Sequence, residues 1–344
     1  MLVIDAAPFP RDKVCAGWIT PQVIADLDLD LAEYQNGRTL QAITGFRTGL
    51  IGRTEEVETI YDQPVSYGIR RCEFDHYLLR RSGARLRLAS PIASIRRDGG
   101  AWIVNDEVRA PMLVGAGGHF CPVARMLSPR REDAPVVVAR ETEFPVAAGE
   151  DHAFTTPATT PELFFSLDLQ GYGWCFRKEA HINVGFGSLD HRRLPEATEA
   201  FVAFLQSRGT IPAAASWPWR GHAYLLSEPR ARRVVDDGVV LVGDAAGLAY
   251  PQSGEGIRPA IESGLMAAAS ILAAGGQPTR ERLAPYDAWL RRRFSAGPVS
   301  RLLSRAIPAG WSKAAAPALF AAPWFVRHLL LDRWFLRAHV RAMA

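Results

Sequence analysis

A Gly-Asp pair at the end of an apolar run is the first place where this sequence could do chemistry. Four apolar residues, 239–242, precede Gly243 and Asp244, and a loop rich in Gly, Pro and Ser then leads to helical spacing from Ile257. Glycines let backbone amides approach a phosphate closely, a helix start offers unpaired N–H groups, and a carboxylate accepts hydrogen bonds from sugar hydroxyls. The pattern predicts a bound dinucleotide, although a Gly-Asp pair after a strand is also a common turn.

Two further apolar runs end in a similar way. Residues 2–4 read as a buried strand that ends in Asp5, and the apolar run that starts at Ala110 enters the glycine-rich stretch 115–118. Both runs leave a carboxylate or bare backbone at a strand end. We therefore expect all three segments to converge on one bound molecule.

Length and composition fit a folded globular protein. With 344 residues, 48 % hydrophobic and 22 % charged, the chain is long enough for a large core and for two intertwined domains. The formal net charge of +4 is mild and the arginines are spread out, which argues against a nucleic-acid partner. The four cysteines are far apart, so we expect no metal site and no short-range disulfide framework, and a reducing cytoplasm fits best.

Periodicity predicts alternating helices and strands. Helical spacing is found over 21–34, 71–83, 196–209 and 257–276, and beyond Pro278 it predicts helices broken at Pro285, Pro298, Pro308, Pro317 and Pro323. Short antiparallel strands are expected over 45–67. Further strands are expected over 86–90, 91–97 and 102–106, the last two joined by a hairpin turn at Asp98-Gly99-Gly100. Residues 136–186 are rich in β-branched and aromatic types and predict a separate antiparallel sheet.

Six motifs together resemble a known family. They are Asp5 after a strand, PRDKVCAGWIT, the Arg-x-x-Phe-Asp of 71–75, GAGGHFCPVAR, GYGWCFR and VGDAAGLAYPQSGEGI. Their order resembles that of FAD-dependent oxidoreductases of the geranylgeranyl reductase type, which are relatives of the aromatic hydroxylases and tryptophan halogenases. The resemblance covers about residues 1 to 275, most of the chain.

The resemblance implies that FAD is the cofactor and indicates which residues hold it. Asp5 would bind the adenosine ribose, and Asp244 the ribitol or pyrophosphate. The amides of Gly256 and Ile257 would face the pyrimidine edge of the flavin, at a helix start that stabilises negative charge. The full predicted set is Asp5, Cys15, Ala16, Trp18, Arg71, Gly243, Asp244, Gly254, Gly256 and Ile257.

The resemblance also implies a fold. We expect an α/β protein in which a Rossmann-like parallel FAD-binding sheet, incomplete at its N-terminal βαβ unit, is interrupted by an antiparallel substrate sheet and followed by a helical tail. The predicted domains are an FAD-binding domain of residues 1–130 and 231–276, a substrate domain of 131–230 and a helical region of 277–344.

Two departures from the family pattern bear on the cofactors. The chain opens at what would be the second strand of the family's fold and has no Gly-x-Gly-x-x-Gly turn. We expect that the start of the sequence has been assigned too late. The alternative is that the protein is a non-catalytic remnant. GAGG stands where relatives often have Gly-Ala-Asp-Gly. In the hydroxylases this Asp also serves the encounter with NADPH, so its absence bears on NAD(P)H, the candidate electron donor.

An aromatic strand suggests the substrate. Tyr172, Trp174 and Phe176 share one strand face by the two-residue period and form a wall that suits an extended apolar substrate, or else simply packs on a core. We expect hydride transfer from reduced FAD to a carbon–carbon double bond of an isoprenoid or other lipid-like molecule, with Cys15 a candidate proton donor. The alternative is a monooxygenase that hydroxylates an aromatic or polyketide-like substrate.

The basic tail suggests a second, peripheral contact. Arginines alternate with aromatic residues there, at Arg327, Arg333, Arg337 and Arg341. As an amphipathic helix pair the tail would rest on anionic lipid, or it would pack on the protein as an ordinary terminal helix. The apolar stretch 319–331 is interrupted by Pro323 and Arg327, so it does not supply the roughly 20 apolar residues of a spanning helix.

Overall fold

The computed structural model describes residues 1–127, 136–147, 149, 151–213, 217–227, 232–294 and 309–343. Backbone contacts divide the chain into two compact units. Unit 1 comprises Met1–Arg11, Asp75–Val136 and Tyr224–Arg301, and unit 2 comprises Asp12–Phe74, Val137–Ala223 and Leu302–Ala344. The predicted domain boundaries stay a prediction, and those at 130/131 and 230/231 lie outside the described residues.

The strands are short, and most have two to six residues. In chain order they are β1 Leu2–Ile4, β2 Trp18–Ile19, β3 Leu40–Ile43, β4 Gly45–Leu50, β5 Glu56–Ile60, β6 Ser66–Ile69, β7 Arg85–Arg87, β8 Ile95–Asp98, β9 Ala101–Val104, β10 Val108–Ala110, β11 Leu113–Gly115, β12 Val136–Pro145, β13 Glu162–Phe165, β14 Gly171–Lys178, β15 His181–Ser188, β16 Arg220–Leu225, β17 Val235–Asp236 and β18 Val239–Leu241.

The helices differ widely in length. They are α1 Pro21–Asp26, α2 Leu31–Gln35, α3 Arg71–Arg81, α4 Pro122–Leu127, α5 Leu194–Ser207, α6 Gly243–Ala246, α7 Ile257–Ala273, α8 Arg280–Phe294 and α9 Ala309–Phe320, with 3₁₀ turns at Gly118–Phe120 and Asp151–Ala153 and a π-helical segment at Phe325–Phe335. The predicted helices at 71–83, 196–209 and 257–276 are confirmed to within a few residues.

Unit 1 contains two parallel strand pairs. Strand β1 pairs in parallel with β7, and β11 pairs in parallel with β18, whose other edge carries the antiparallel β17. Strands β8, β9 and β10 form an antiparallel sheet in which β8 and β9 meet at the predicted Asp98-Gly99-Gly100 turn. Both glycines of that turn have positive φ, as a two-residue hairpin loop requires.

Helix α8 runs through a proline at which the sequence predicts a break. Pro285 lies inside the helix, although an interior proline costs about 3 kcal/mol of helix propensity. Leu283, Tyr286 and Leu290 are buried in the core of unit 1, and the Tyr286 hydroxyl donates to the carbonyl of Leu241 at 2.7 Å. The predicted break is wrong because this packing outweighs the local penalty.

Unit 2 is built on a seven-stranded sheet. Its order is β16-β12-β15-β14-β13-β4-β5, so the antiparallel strands predicted over 136–186 are confirmed. The early strand β4 joins this sheet by pairing in parallel with β13, which the sequence did not indicate. Helix α5 covers one face, where Phe201 packs against Phe186 and fills the space beside Gly173.

The predicted helix 21–34 is two helices. Helix α1 ends at Asp26, Asp28 has a φ of +45°, and α2 begins after Asp30. The Asp30 carboxylate accepts from the amides of Ala32 and Glu33 at 2.9 and 3.0 Å. The break follows from this N-cap, because the backbone amides in the first turn of a helix have no carbonyl partner within the helix and an aspartate side chain can accept their hydrogen bonds.

The tail packs on unit 2 through its apolar side. Phe320, Val326, Leu330 and Phe335 are buried, and α9 continues through Pro317, where a break was predicted. The predicted breaks at 298 and 308 lie outside the described residues. Among the described helices, none combines the length and the apolarity needed to cross a membrane.

Candidate functional site

In unit 1 two of the predicted glycine segments leave the same sheet edge. Strands β11 and β18 run in parallel and end in register, with Gly115 opposite Leu241. The amide of Val242 donates to the carbonyl of Gly115 at 3.0 Å. The stretch after Gly115 and the Gly-Asp pair after Val242 therefore start side by side at the carboxyl ends of parallel strands, where open α/β sheets bind ligands.

Four predicted cofactor residues meet at the start of α7. A Cβ on Gly256 would lie 2.9 Å from Oδ1 of Asp244, so the carboxylate sits directly against bare backbone. The amide of Gly243 donates to the Ser263 hydroxyl of α7 at 2.9 Å, and Ile257 is the first residue of that helix. These four residues thus form one cluster, in which Asp244 and Gly256 are half-buried and Gly243 and Ile257 are buried.

Gly254 and the helix start complete this loop. Gly254 has a φ of +69°, and a Cβ there would lie 2.3 Å from the Tyr224 hydroxyl oxygen. Helix α7 has 17 residues and no side-chain cap at Gly256, while Glu255 accepts from the amide of Arg258 at 3.3 Å. The positive end of a long helix dipole therefore points at the loop.

Asp5 occupies a different sheet from Asp244. It follows β1, and its Oδ1 accepts from the amide of Ala7 at 2.8 Å. Its Oδ2 lies 3.8 Å from the guanidinium of Arg11. One oxygen therefore holds the local turn, and the proposed contact of Asp5 with a ribose stays a prediction.

Unit 2 carries the aromatic wall. Tyr172, Trp174 and Phe176 lie on one face of β14, while Cys175 between them belongs to the core of the opposite face. Trp174 is 5 % and Phe176 1 % exposed. The Trp174 indole N–H donates to Oδ1 of Asn183 at 2.7 Å. The shared face follows from strand periodicity, and its role in substrate binding stays a prediction.

Two residues from distant segments extend this wall. Trp18 stacks on Phe176 with ring centroids 5.3 Å apart, and Phe335 of the π-helical segment meets Trp18 edge-on at 5.9 Å. Phe335 also lies 5.3 Å from the Tyr172 ring. The sequence placed Trp18 beside the cofactor; the structure places it in the aromatic wall, and nothing described tests its contact with a cofactor.

The predicted loop residues Cys15 and Arg71 border one cavity of about 170 Å³ in unit 2. Cys15 is half-buried, and its sulfur accepts from the amide of Gly17 at 3.4 Å. Arg71 is the first residue of α3, and Ala16 is half-buried beside Cys15. The cavity is also lined by Asp12, Lys13, Arg70, Glu141, Glu143 and Arg220.

A buried charge cluster lies between this cavity and the wall. Lys178 is completely buried, and its ammonium donates to Glu143 at 2.7 Å. Arg70 donates through Nε to the same carboxylate at 3.1 Å. The amide of Asn183 lies 3.2 Å from Glu143 and 3.4 Å from Glu141. Two neighbouring carboxylates therefore differ in the number of cations that they touch.

The difference in partners separates the two carboxylates in acidity. Burial raises the pKa of Glu141 to about 7, although Lys178 acts in the opposite direction. Burial also acts on Glu143, but Lys178 and Arg70 outweigh it and hold the pKa of that carboxyl below its usual value. Pairs of carboxylates with opposed pKa values are typical of acid and base assignments in active sites.

None of the motifs in the sequence pointed to this cluster. Glu141 and Glu143 stand two residues apart on β12, and Lys178 stands two residues after Phe176 on β14; this period of two was the available signal. The two-residue period of a strand places Glu141 and Glu143 on one face of β12, just as it places the aromatic residues on one face of β14. This period gives no information on which strands become neighbours in the sheet.

Sequence relatives of the chain include reductases. No protein-family model matches it. A menaquinone reductase of Mycobacterium tuberculosis is 29 % identical over 295 residues, which is 78 % of this chain and 69 % of that protein. A digeranylgeranylglycerophospholipid reductase of Methanocaldococcus jannaschii is 25 % identical over 226 residues, covering 62 % of this chain and 56 % of the relative.

Solved structures share the fold. A geranylgeranyl bacteriochlorophyll reductase-like protein of Thermoplasma acidophilum has a TM-score of 0.75 at 18 % identity, covering 98 % of this chain and 92 % of that one. PqsL of Pseudomonas aeruginosa, described as "a probable FAD-dependent monooxygenase", has a TM-score of 0.63 at 18 % identity, with 92 % and 89 % covered.

Fold and relatives together define the class of protein: the chain has the fold of FAD-dependent oxidoreductases, with parallel and antiparallel sheets as expected, and it is similar in sequence to reductases. Within that class the chain is related to the geranylgeranyl reductases, as the motifs predicted.

The residues at the start of α7 fit FAD. The Asp244 carboxylate can accept from hydroxyl groups, and Gly256 leaves the space beside it free of a side chain. The N-terminus of α7 favours the negative charge of a pyrophosphate or of a reduced flavin. When bound, FAD supplies the electrons of a hydride transfer.

Proposed function

We propose that this protein reduces a carbon–carbon double bond in the isoprenoid part of a lipid-like substrate. The single observation that carries the proposal is the aromatic wall of Tyr172, Trp174 and Phe176, to which Trp18 and Phe335 contribute. Flat apolar rings suit an extended prenyl chain, which offers dispersion contacts and no hydrogen bonds. The relatives named above act, by name, on menaquinone and on digeranylgeranylglycerophospholipid.

In this proposal the two units have separate tasks. Asp244, Gly256 and Ile257 of unit 1 hold FAD, with Gly243 and Gly254 in the same loop and Asp5 at the adenosine ribose. In unit 2, the cofactor contacts of Cys15, Ala16, Trp18 and Arg71 stay predictions from the sequence. The proposed electron donor is NAD(P)H.

An anaerobic single turnover tests this function. The FAD-containing protein is reduced with dithionite, freed of excess reductant and mixed with menaquinone or with geranylgeranyl diphosphate. We expect the flavin absorbance to return and fragment-ion mass spectrometry to find two added hydrogens in the prenyl chain of the probe, as distinct from the quinone ring of menaquinone. Reoxidation without a hydrogenated product would contradict the proposal.

The second candidate is hydroxylation by a flavin monooxygenase. The fold shared with PqsL favours it, and an aromatic wall also accepts an aromatic substrate. The same experiment separates the two functions, because hydroxylation requires oxygen. Turnover that occurs only in air, with an oxygen atom gained by the product, would replace reduction by hydroxylation.

A wall variant links the activity to the proposed surface. Replacing Trp174 by Leu keeps an apolar side chain but removes most of the ring area, so we expect a higher KM for the prenyl probe with FAD still bound. A matched control is Trp102→Leu, since Trp102 is 8 % exposed in the core of unit 1. Equal effects of both replacements on KM would remove the wall from substrate binding.

We also propose that the tail contacts a membrane surface peripherally. Trp324 is 66 % and Leu319 39 % exposed, and Arg333 stands exposed in the same tail. Arg327 is partly engaged with the protein, since its guanidinium lies 4.9 Å from the Tyr61 ring centroid. An exposed tryptophan beside arginines is typical of a helix that rests at an anionic lipid interface.

Sedimentation with vesicles of phosphatidylglycerol, and with phosphatidylcholine as the neutral comparison, tests this contact. We expect binding to the anionic vesicles that Trp324→Ser weakens. Leu272→Ser is the matched control, because Leu272 is 80 % exposed on α7. Absence of binding by the unmodified protein would exclude the contact.

A further inference from the structure

We infer that Glu141 supplies the proton that completes the reduction. This inference rests on the proposed function, in which the double bond lies along the aromatic wall. Hydride addition to one carbon of a double bond leaves the other carbon in need of a proton, and the flavin provides only the hydride and its two electrons. A positioned acid must therefore stand near the wall.

Glu141 stands next to the wall by strand register. It lies on β12 directly opposite Gly185 of β15. The place of a Gly185 side chain is taken by the Trp174 indole, whose Cζ2 atom is 2.2 Å from where a Cβ would be. Glu141 and Trp174 therefore occupy the same face of the sheet, with only the bare backbone of Gly185 between them.

The polar atoms around Glu141 connect it to the wall on one side and to a cavity on the other. Asn183 donates to Glu141 at 3.4 Å and accepts from the Trp174 indole at 2.7 Å. Glu141 also lines the 170 Å³ cavity together with Cys15. One water needs roughly 10–15 Å³, so the cavity has room for several. The carboxyl group can thus be reprotonated from water although only 6 % of the residue is exposed.

The two neighbouring acids are not equivalent candidates. Glu143 is held ionised by the ammonium of Lys178 and the guanidinium of Arg70, so it has no proton to give near neutrality. Glu141 carries its proton up to about neutral pH because burial raises its pKa to about 7. The charged or titratable groups around Glu141 are Glu143 on β12, Lys178 on β14, Arg220 on β16, Arg70, Arg71 and Cys72 at the start of α3, and Asp12, Lys13 and Cys15 in the preceding loop.

The step balances in atoms and electrons. The O–H bond of Glu141 breaks as a C–H bond forms at the carbon that did not receive hydride. The double bond gains two electrons with the hydride, and the reduced flavin loses two electrons and becomes FAD. The carboxylate left on Glu141 then takes a proton from water in the cavity, and Glu143 with Lys178 keeps its charge throughout.

Single-turnover reoxidation of the reduced FAD-containing protein by geranylgeranyl diphosphate tests the inference, because this probe has no quinone ring that could accept the electrons in place of a double bond. For Glu141→Gln we expect FAD content and reduction by dithionite as in the unmodified protein, with anaerobic reoxidation at least about 100-fold slower. The rate of the unmodified protein should fall as pH rises through about 7, and the variant should lack this dependence. Glu141→Asp should recover part of the rate.

Glu162→Gln is the matched control. Glu162 is equally buried in the same sheet, at 1 % exposure, but bonds to Arg47 at 3.1 Å and pairs with Cys175 on the face away from the wall. It should leave the reoxidation rate within a factor of three. A loss of rate in Cys15→Ala with no loss in Glu141→Gln would assign the proton to the cysteine and overturn the inference.

A spectroscopic measurement does not depend on turnover. Infrared difference spectra of the FAD-containing protein, taken across about pH 6 to 8, should show the carbonyl band of a protonated carboxyl group that Glu141→Gln removes. Persistence of that band in the variant overturns the inference.

The outcomes also separate the inference from the proposed function. No anaerobic reoxidation of the unmodified protein by either probe defeats the proposed function and the inference with it. Normal reoxidation of both the unmodified protein and Glu141→Gln defeats the inference alone. If Glu141→Gln does not fold, a rate in the unmodified protein that stays constant through pH 7 defeats it.

Discussion

Replacing Gly185 by Ala tests the packing on which the aromatic wall depends. The added methyl group would lie 2.2 Å from Cζ2 of Trp174 and 2.5 Å from its Cε2. Carbon atoms pack at about 3.5–4.0 Å, so the indole must move by more than an ångström. Trp174 is 5 % exposed and bonded to Asn183 at 2.7 Å, so the movement strains the core and stretches that hydrogen bond.

The expected cost follows from these two effects. Overpacking a core costs about 1–3 kcal/mol, and the net loss of one hydrogen bond adds about 1 kcal/mol. The lower backbone entropy of alanine in the unfolded chain returns roughly 0.5 kcal/mol. We therefore expect Gly185→Ala to lower the free energy of unfolding by about 2–3 kcal/mol, with a change in the near-ultraviolet circular dichroism of the tryptophans.

Gly187→Ala is the matched control in the same strand. Its added methyl group would lie 3.8 Å from Cζ3 of Trp174 and 3.9 Å from Cβ of Ala139, which are ordinary contacts. We expect its free energy of unfolding to stay within about 0.5 kcal/mol of the unmodified value. Urea titration of all three proteins measures the difference. Equal stability of the two variants would refute the position of the Trp174 indole against Gly185.

Three further predictions concern the acids and the lysine. Because burial raises the Glu141 pKa from 4.5 to about 7, the folded state holds this proton more tightly than the unfolded chain. Stability should therefore fall as pH rises between these values, by on the order of 3 kcal/mol, and Glu141→Gln should abolish that fall in urea titrations. Asp244→Ala should weaken FAD binding at least about tenfold, measured by equilibrium dialysis, since a charged acceptor is worth about 1.5–3 kcal/mol; unchanged FAD affinity would remove Asp244 from the cofactor site. Lys178→Met should lower the free energy of unfolding by roughly 3 kcal/mol, because it leaves the charge of Glu143 buried with fewer partners. An unchanged urea midpoint would show that Arg70 alone is enough to stabilise the Glu143 carboxylate.

Local signals in the sequence were sufficient for much of the fold. The hairpin at Asp98-Gly99-Gly100 and the helix that ends before Gly83 formed as predicted, because positive φ at these glycines is a property of the residues themselves. The shared face of Tyr172, Trp174 and Phe176 likewise follows from the period of two. The class of protein was also contained in the motifs.

Local signals failed where packing decided the outcome. Pro285 and Pro317 predicted helix ends, yet both helices continue, and α8 does so because its buried side chains outweigh the missing hydrogen bond. In the segment 21–34 the hydrophobic spacing was read as one helix, although Asp30 starts a second one. There the turn chemistry of a single aspartate outweighed the periodicity.

The sequence by itself determined the cofactor class, the glycine loops and the aromatic face, because each is encoded within a few consecutive residues. Only the tertiary structure decided that β4 joins β13, that Trp18 and Phe335 complete the wall, and that Glu141 lies across from Gly185. The physical reason is that strand order and register are set by burial summed over distant segments. No single segment of the sequence contains the strand order and register, whereas the pKa of Glu141 depends on both.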